Sequence, residues 1–331
     1  MDVRLDYMNP TKVEEGIDVE ILEGKINSLN LEDLDPREKY SRVVQKRFER
    51  SMKELDEREN QSHPFVKCRS CFLVKKDHCI CTNLSRLADQ IKKVQTYPEI
   101  KFIIFMNDRE YFRSSNTGKL VKHLIPGSEI LIHGIPGSSE RLEEILSQDL
   151  EIYNETVILY PSKDSKSVLD YFSDLKENKY FELLGKEPEN SLFSTEFYRK
   201  LKLKVILIDG TWSQAKSINK SLPKQIKRIV INSKLISDFG PLRKQNKAGN
   251  ISTVEASSLL IKEIREMLSN IIGDSITTEN LSHLNLQSDL LEESLKLLIK
   301  HVIAQCKREY LKEILESRNE KRFSTHKRET L

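Results

Sequence analysis

The spacing of apolar residues changes character along the chain. In residues 37–60, REKYSRVVQKRFERSMKELDEREN, Val43, Val44, Phe48 and Met52 recur at helical spacing, which predicts a surface helix with one apolar face. From about residue 84, helical and extended patterns alternate. SRLADQIKKVQ reads as helix and KFIIFM as strand. NTGKLVKHL is a short helix, and EILIHG and TVILYPS are strands. SVLDYFSDLK and SLFSTEFYRKL are helical around a polar loop, KENKYFELLGKEPEN. KVILIDG is a strand, followed by a helix over about 212–221, the strand KRIVIN, and a helix over about 253–271. Short apolar strands separated by helices predict an α/β fold with a mostly parallel sheet and flanking helices. In such sheets ligands sit beyond the carboxyl ends of the strands. NDRE (107–110), HG (133–134), YPSKDS (160–165) and DGTW (209–212) therefore share one candidate face.

The flanks differ from this core. Residues 287–316 place Leu291, Leu295, Leu298, Val302 and Ile303 on one stripe of a long helix, which either covers the core or meets a second copy of the chain. Residues 1–36 show no sustained apolar period and hold ten acidic against three basic residues, which predicts an extension without packed structure. The last fifteen residues, SRNEKRFSTHKRETL, form a basic tail. HLIPGS at 123 and HGIPGS at 133 look alike, but two copies read as local turns, not as a repeat array. The expected organisation is an N-terminal extension (1–60), a cysteine-bearing element (61–83), an α/β core (84–275) and a C-terminal helical extension (276–331).

Composition narrows the function classes. Of 331 residues, 38% are hydrophobic and 32% charged, and no apolar run approaches the length of a membrane span. The N-terminus has no apolar segment of the secretory type, so the expected location is intracellular, cytoplasmic or nuclear, with thiols reduced. The net charge of +3 conceals a surplus of +10 on the residues after 36. That favours polyanionic partners only weakly; ordinary solubilising charge is the plainer explanation.

Four of the five cysteines lie in CRSCFLVKKDHCIC: Cys68, Cys71, Cys79 and Cys81. A C-x2-C followed by a second close pair suits a closed, tetrahedral four-thiolate zinc site of the structural kind. Disulfides, which a reducing compartment disfavours, and a redox C-x2-C are the other readings. His63 and His78 are nearby spare ligands that four cysteines leave unneeded, and Cys306 reads as a packing residue.

In KVILIDGTWSQAK, residues 204–216, Thr211-x-x-Gln214 fits a capping box, and Gly210 fits the turn before it. Neither accounts for Asp209 or for Trp212, the only tryptophan. An acid just past a buried strand is placed to accept a proton, and an indole beside it either stacks on a base or packs in the core. Ser252-x-x-Glu255 is a second capping box. SSNTGKL is not a P-loop, because Arg113 stands where the first glycine belongs.

Taken in order, these pieces resemble the DTW-domain family of tRNA-uridine aminocarboxypropyltransferases. The matching residues are the four cysteines, Asn116-Thr117-Gly118-Lys119, Tyr160-Pro161, Asp209-Gly210-Thr211-Trp212, Leu242-Arg243-Lys244 and Ser252-Thr253-Val254-Glu255-Ala256. The resemblance spans roughly residues 65–270. It implies a SPOUT-like, trefoil-knotted core that uses S-adenosylmethionine as co-substrate and tRNA as partner, with no membrane and with a homodimer as one assembly. The implied catalytic residues are Asp209, Thr211 and Trp212. The co-substrate would be cradled by Tyr160, Pro161, Leu207, Asp209, Ser252, Thr253 and Glu255. The RNA would be met by Asn116, Thr117, Lys119 and Arg243. Two departures stand out. The family's His-Pro-x-Glu reads Asn107-Asp108-Arg109-Glu110 here, and a tyrosine that usually precedes the Leu-Arg is replaced by the Phe239-Gly240-Pro241 stretch.

Overall fold

The structure is a computed structural model that describes residues 35–61, 66–148, 153–184, 191–232, 237–240, 242, 251–272 and 278–305. In chain order, the helices are α1 Pro36–Asn60, α2 Cys81–Ile91, α3 Asp108–Tyr111, α4 Gly118–Leu124, α5 Pro136–Ser147, α6 Val168–Leu184, α7 Ser191–Lys200, α8 Trp212–Ser221, α9 Thr253–Ile272 and α10 Thr278–Gln305. The strands are β1 Glu99–Asn107, β2 Glu129–His133, β3 Asn154–Leu159, β4 Lys166–Ser167, β5 Lys202–Asp209 and β6 Lys227–Val230. They form one sheet in the order β2-β1-β5-β3-β6-β4, and every pairing is parallel. The α/β class with a parallel sheet and flanking helices is therefore as the periodicity predicts.

Strand periodicity decides the layers. Along β1, Phe102, Ile104 and Met106 face one side, and Ile103 and Phe105 face the other. The first side is the larger core, built with α2, α4, α6, α7, α9 and α10; the second packs under α5 and α8. Both faces are covered, which is why β1 and β5 read as continuous apolar runs. A cation is buried with them: Lys204 Nζ donates to the Ile145 carbonyl at 2.8 Å, satisfying a charge that would otherwise be costly.

Four elements depart from the pattern reading. α5 starts in a segment read as a turn: Pro136 occupies its first turn, and Leu142 and Ile145 are buried against the sheet. β4 is a two-residue edge strand with both residues exposed, too short to leave an apolar signal. α6 continues to Leu184 through residues expected to be a loop. α10 begins at Thr278, nine residues before the expected start, and turns Leu284, Leu291, Leu295 and Leu298 into the core. Asn280 fastens its first turn, exchanging hydrogen bonds with the Tyr97 backbone at 2.7 and 2.9 Å. Of the two roles left open for this helix, it fills that of covering the core. The expectations for residues 1–34 and 306–331, Cys306 among them, fall outside the described residues.

α1 is seated on the carboxyl-end face. Its first turn is capped by Asp35, which accepts from Arg37 N at 2.7 Å. Ser41 Oγ donates to the Gly134 carbonyl at 2.7 Å, and Tyr40 Oη lies 3.2 Å from His133 Nδ1. Gly134 has φ +92°, and a Cβ there would stand 2.8 Å from the Tyr40 ring and 3.0 Å from Val44. Glycine both permits that backbone and leaves room for the helix.

Candidate active site and metal centre

Asp209 is the last residue of β5, in register with Met106 of β1. The capping box behind it is formed as the spacing predicts: Gln214 N donates to Thr211 Oγ1 at 3.4 Å, and Thr211 N donates to Gln214 Oε1 at 2.7 Å. The Gln214 amide also reaches β1, donating to Asn107 Oδ1 at 3.1 Å. The turn is thus fixed to the neighbouring strand end, not only to its own helix. Trp212 opens α8 with 51% of its surface exposed, so its ring is not a core residue.

The Asp209 carboxylate is buried and held from two directions. Asn116 Nδ2 donates to Oδ2 at 3.1 Å, and Thr253 Oγ1 donates to the same oxygen at 3.0 Å. Among the described residues no hydrogen bond goes to Oδ1. Burial raises the Asp209 pKa above its ordinary value; the two hydrogen bonds and the charge of Lys119 pull against it, and Glu110 adds to it. Close approach of α4 requires a glycine: a Cβ on Gly118 would fall 2.5 Å from Asp209 Oδ2 and 2.9 Å from Ile104. Sequence spacing marked Asn116 and Thr253 separately; the fold joins them on one oxygen, and Thr117 is the buried N-cap of α4 beside them.

Lys119 is buried on the same helix. Its Nζ donates to the Arg113 carbonyl at 2.8 Å and sits 3.9 Å from the centroid of the Phe72 ring. Burial brings its pKa down to about 7, against the pull of Asp209. Ser252 and Glu255 form the second predicted box. Glu255 Oε2 accepts from Ser252 N and from Ser237 Oγ, each at 2.7 Å, and Oε1 accepts from Asp238 N at 2.7 Å. This carboxylate is thereby committed to the start of α9 and to the 237–238 turn.

The other named residues are more dispersed. Leu207 is a buried residue of β5. Tyr160 follows β3 and packs against the second core cluster, its carbonyl accepting from Ser165 Oγ at 2.7 Å; Pro161 beside it is exposed. Arg243, Lys244 and His63 lie outside the described residues.

Two site contacts leave no local sequence signal. Arg47 of α1 donates to Asp108 Oδ2 at 2.5 Å, pairing a buried acid with an extension residue sixty-one positions away. Glu110 is buried too and pairs with Arg113. The available hint was a pair of acids immediately after a buried strand, where an unpaired charge is costly.

Cys68, Cys71, Cys79 and Cys81 converge, with all four sulfurs within 4.8 Å of one another. The Cys68–Cys81 and Cys71–Cys79 sulfurs stand 3.5 and 3.8 Å apart. A tetrahedral ion with metal–sulfur bonds of about 2.3 Å needs sulfurs about 3.8 Å apart, so the donor set fits a metal ion such as zinc. The turn between the first pair is held by Phe72 N donating to the Cys68 carbonyl at 2.8 Å, with Phe72 at φ +58°. Hydrogen bonds from the Cys71 and Cys81 thiols hold the Cys68 thiol far below its ordinary range. The same pairing pushes Cys71 up to about 11 and Cys81 up as well. A metal ion bound between the four sulfurs would ionise the remaining thiols. His78 is not in this group; its ring lies against His301.

The cysteine hairpin also supports the site. Phe72 lies under Lys119, its carbonyl accepts from Ser114 Oγ at 2.7 Å, and Ser70 Oγ is 2.7 Å from His123 Nε2 on α4.

A buried acid at the end of a central parallel strand, gripped by two helix starts and backed by a metal-type cysteine knuckle, marks a candidate site in an α/β protein. Comparison supplies the family: the model of the DTW domain matches residues 65–303, and the chain belongs to that family. The DTW family includes tRNA-uridine aminocarboxypropyltransferases, and membership is consistent with a tRNA-modifying transferase. Neither a curated protein nor a solved structure matches the chain. No described helix is long and apolar enough to cross a membrane.

Proposed function

We propose that this protein transfers the 3-amino-3-carboxypropyl group of S-adenosylmethionine to N3 of a uridine in tRNA, releasing 5′-methylthioadenosine. The observation that carries the reading is the state of Asp209: Oδ2 is engaged by Asn116 and Thr253, and Oδ1 accepts nothing among the described residues. One oxygen fixes the carboxylate and the other is left for a substrate proton.

In the reaction, the N3–Cγ bond forms as the Cγ–sulfur bond breaks, and the bonding pair stays on sulfur. The N3 proton passes to Asp209 and then to solvent. The raised pKa of Asp209 brings it nearer to that of the group it must deprotonate. Trp212, exposed beside it, offers a ring for stacking the uracil. Thr211 holds the turn. The cationic sulfur supplies its own leaving group, so the protein's task is positioning: the γ-carbon, not the methyl, must face the nucleophile. Tyr160, Pro161, Leu207, Ser252 and Thr253 would line the co-substrate cradle, on a SPOUT-like core. Glu255 would act there through its hold on α9. Asn116, Thr117, Lys119 and Arg243 would meet the RNA. The four cysteines would hold a structural zinc ion.

Mass spectrometry of tRNA nucleosides from cells with and without the protein tests the reaction. The modified uridine should disappear with the protein; an unchanged nucleoside profile would refute the reading. The metal claim has its own test: Cys71→Ser should lower bound zinc from one per chain to none and lower Tm, and a metal-free natural chain of full stability would reject it.

A further inference from the structure

α1 lies outside residues 65–303, which the family model matches, yet it is seated on the carboxyl-end face of the sheet. Its two sides differ. Ser41, Val44, Arg47 and Phe48 turn toward the body, with Val44 fully buried. Lys39, Val43, Lys46, Arg50 and Lys53 are all exposed, and their spacing of four, three, four and three residues makes them one continuous stripe. At 1.5 Å per residue the stripe is about 21 Å long.

The charges on this helix are sorted. Glu38 pairs with Arg42, Glu54 with Arg50, and Glu49 accepts from Gln45. Asp56 and Glu59 are drawn to Arg69 of the cysteine hairpin, and Glu59 also to Lys75. Lys39, Lys46 and Lys53 pair with no acid among the described residues. A surface serving only solubility interleaves both signs; here most acids of α1 are paired, Glu57 having no side-chain partner among the described residues and Glu49 only a neutral one, while all three lysines are free of acids. The opposite side of the same helix is tied to the site. Arg47 bonds Asp108, the neighbouring Asn107 accepts from Gln214, and Gln214 closes the turn that follows Asp209.

We propose that the Lys39–Lys46–Lys53 stripe is a docking surface for the phosphate backbone of tRNA, holding it against the carboxyl-end face so that a uridine reaches Asp209. The inference rests on the transfer reading above and extends it to a surface that the DTW match does not cover.

The test compares binding of an unmodified tRNA transcript by the full-length natural chain and by the K39Q/K46Q/K53Q variant, across 50–200 mM salt. Glutamine keeps helix propensity, and the three positions are exposed, so an unchanged Tm is expected. Three lost phosphate contacts reduce the slope of log affinity against log salt by about 2.7. Raising salt fourfold should then cost the variant about 40-fold less affinity than it costs the natural chain. In turnover, KM for tRNA should rise with kcat unchanged. A control variant, K93Q/K202Q/K296Q, neutralises three exposed lysines away from α1 and should keep the natural slope. An unchanged slope in the α1 variant, or an equal fall in the control, would overturn the proposal. So would a variant that loses binding to phosphatidylserine vesicles while keeping it to tRNA. A natural chain that binds no tRNA would overturn both this surface and the transfer reading.

Discussion

The two capping boxes of this protein have the same sequence form and different outcomes. At Ser252-x-x-Glu255 the box closes on itself: Glu255 accepts three hydrogen bonds, all from the backbone and side chains that begin α9 and the 237–238 turn. At Thr211-x-x-Gln214 the box also closes, but two neighbours remain in surplus, the buried acid Asp209 and the exposed ring of Trp212. The boxes meet, because Thr253 of the first donates to Asp209 beside the second. A carboxylate saturated by its own helix start is structural; one fixed at a single oxygen still has chemistry to offer.

The sharpest way to break this contrast is Asp209→Asn. The amide keeps the volume, and turnover should fall by about 10²–10⁴-fold, the usual range for losing a positioned acid–base group. Stability should be kept or gain at neutral pH. The folded pKa of Asp209 is raised above 3.8, so its contribution to stability is full below that value and is lost as pH rises through the folded pKa. A melting curve beside the rate measurement checks both statements. For the natural chain, activity should climb with pH through the same raised pKa, as the base becomes ionised. Thr253→Val removes a hydrogen bond that lowers that pKa, so this limb should move to higher pH, read from a pH–rate profile.

Trp212→Ala comes next. Loss of a base-stacking ring should weaken tRNA binding by about 1–3 kcal/mol, roughly 5- to 150-fold, with little change in Tm because the ring is half exposed. Smallest in function should be Glu255→Gln. Its amide turns a donor toward a backbone or hydroxyl donor, which costs about 1–3 kcal/mol in denaturant unfolding. Turnover of the folded fraction should change far less than in Asp209→Asn. A Glu255 variant that is stable but inactive would reverse the comparison.

Both boxes were legible because a cap is written within four residues. The longer strands were legible because β1 and β5 carry the unbroken apolar runs of a sheet covered on both faces. The partnership of Asn116, Thr253 and Asp209 was not, since it depends on three strand and helix ends meeting across 137 positions of chain. Gly118 was recognisable as part of a motif, but its physical reason, a carboxylate oxygen in the space of its missing Cβ, appears only in the fold. α5 was hidden by its opening Pro-Gly, which reads as a turn as readily as a helix start. The seating of α1 was hidden for a different reason: charge dominates its sequence, and its key acid, Asp108, lies on another element.

The central claim is that Asp209 serves a transfer from the γ-carbon of S-adenosylmethionine. The most direct measurement is the adenosine by-product released by purified natural and Asp209→Asn protein with unmodified tRNA. The account predicts 5′-methylthioadenosine in step with modified uridine for the natural chain, and almost none for a variant of equal Tm. Release of S-adenosylhomocysteine, or equal 5′-methylthioadenosine from both proteins, would contradict it.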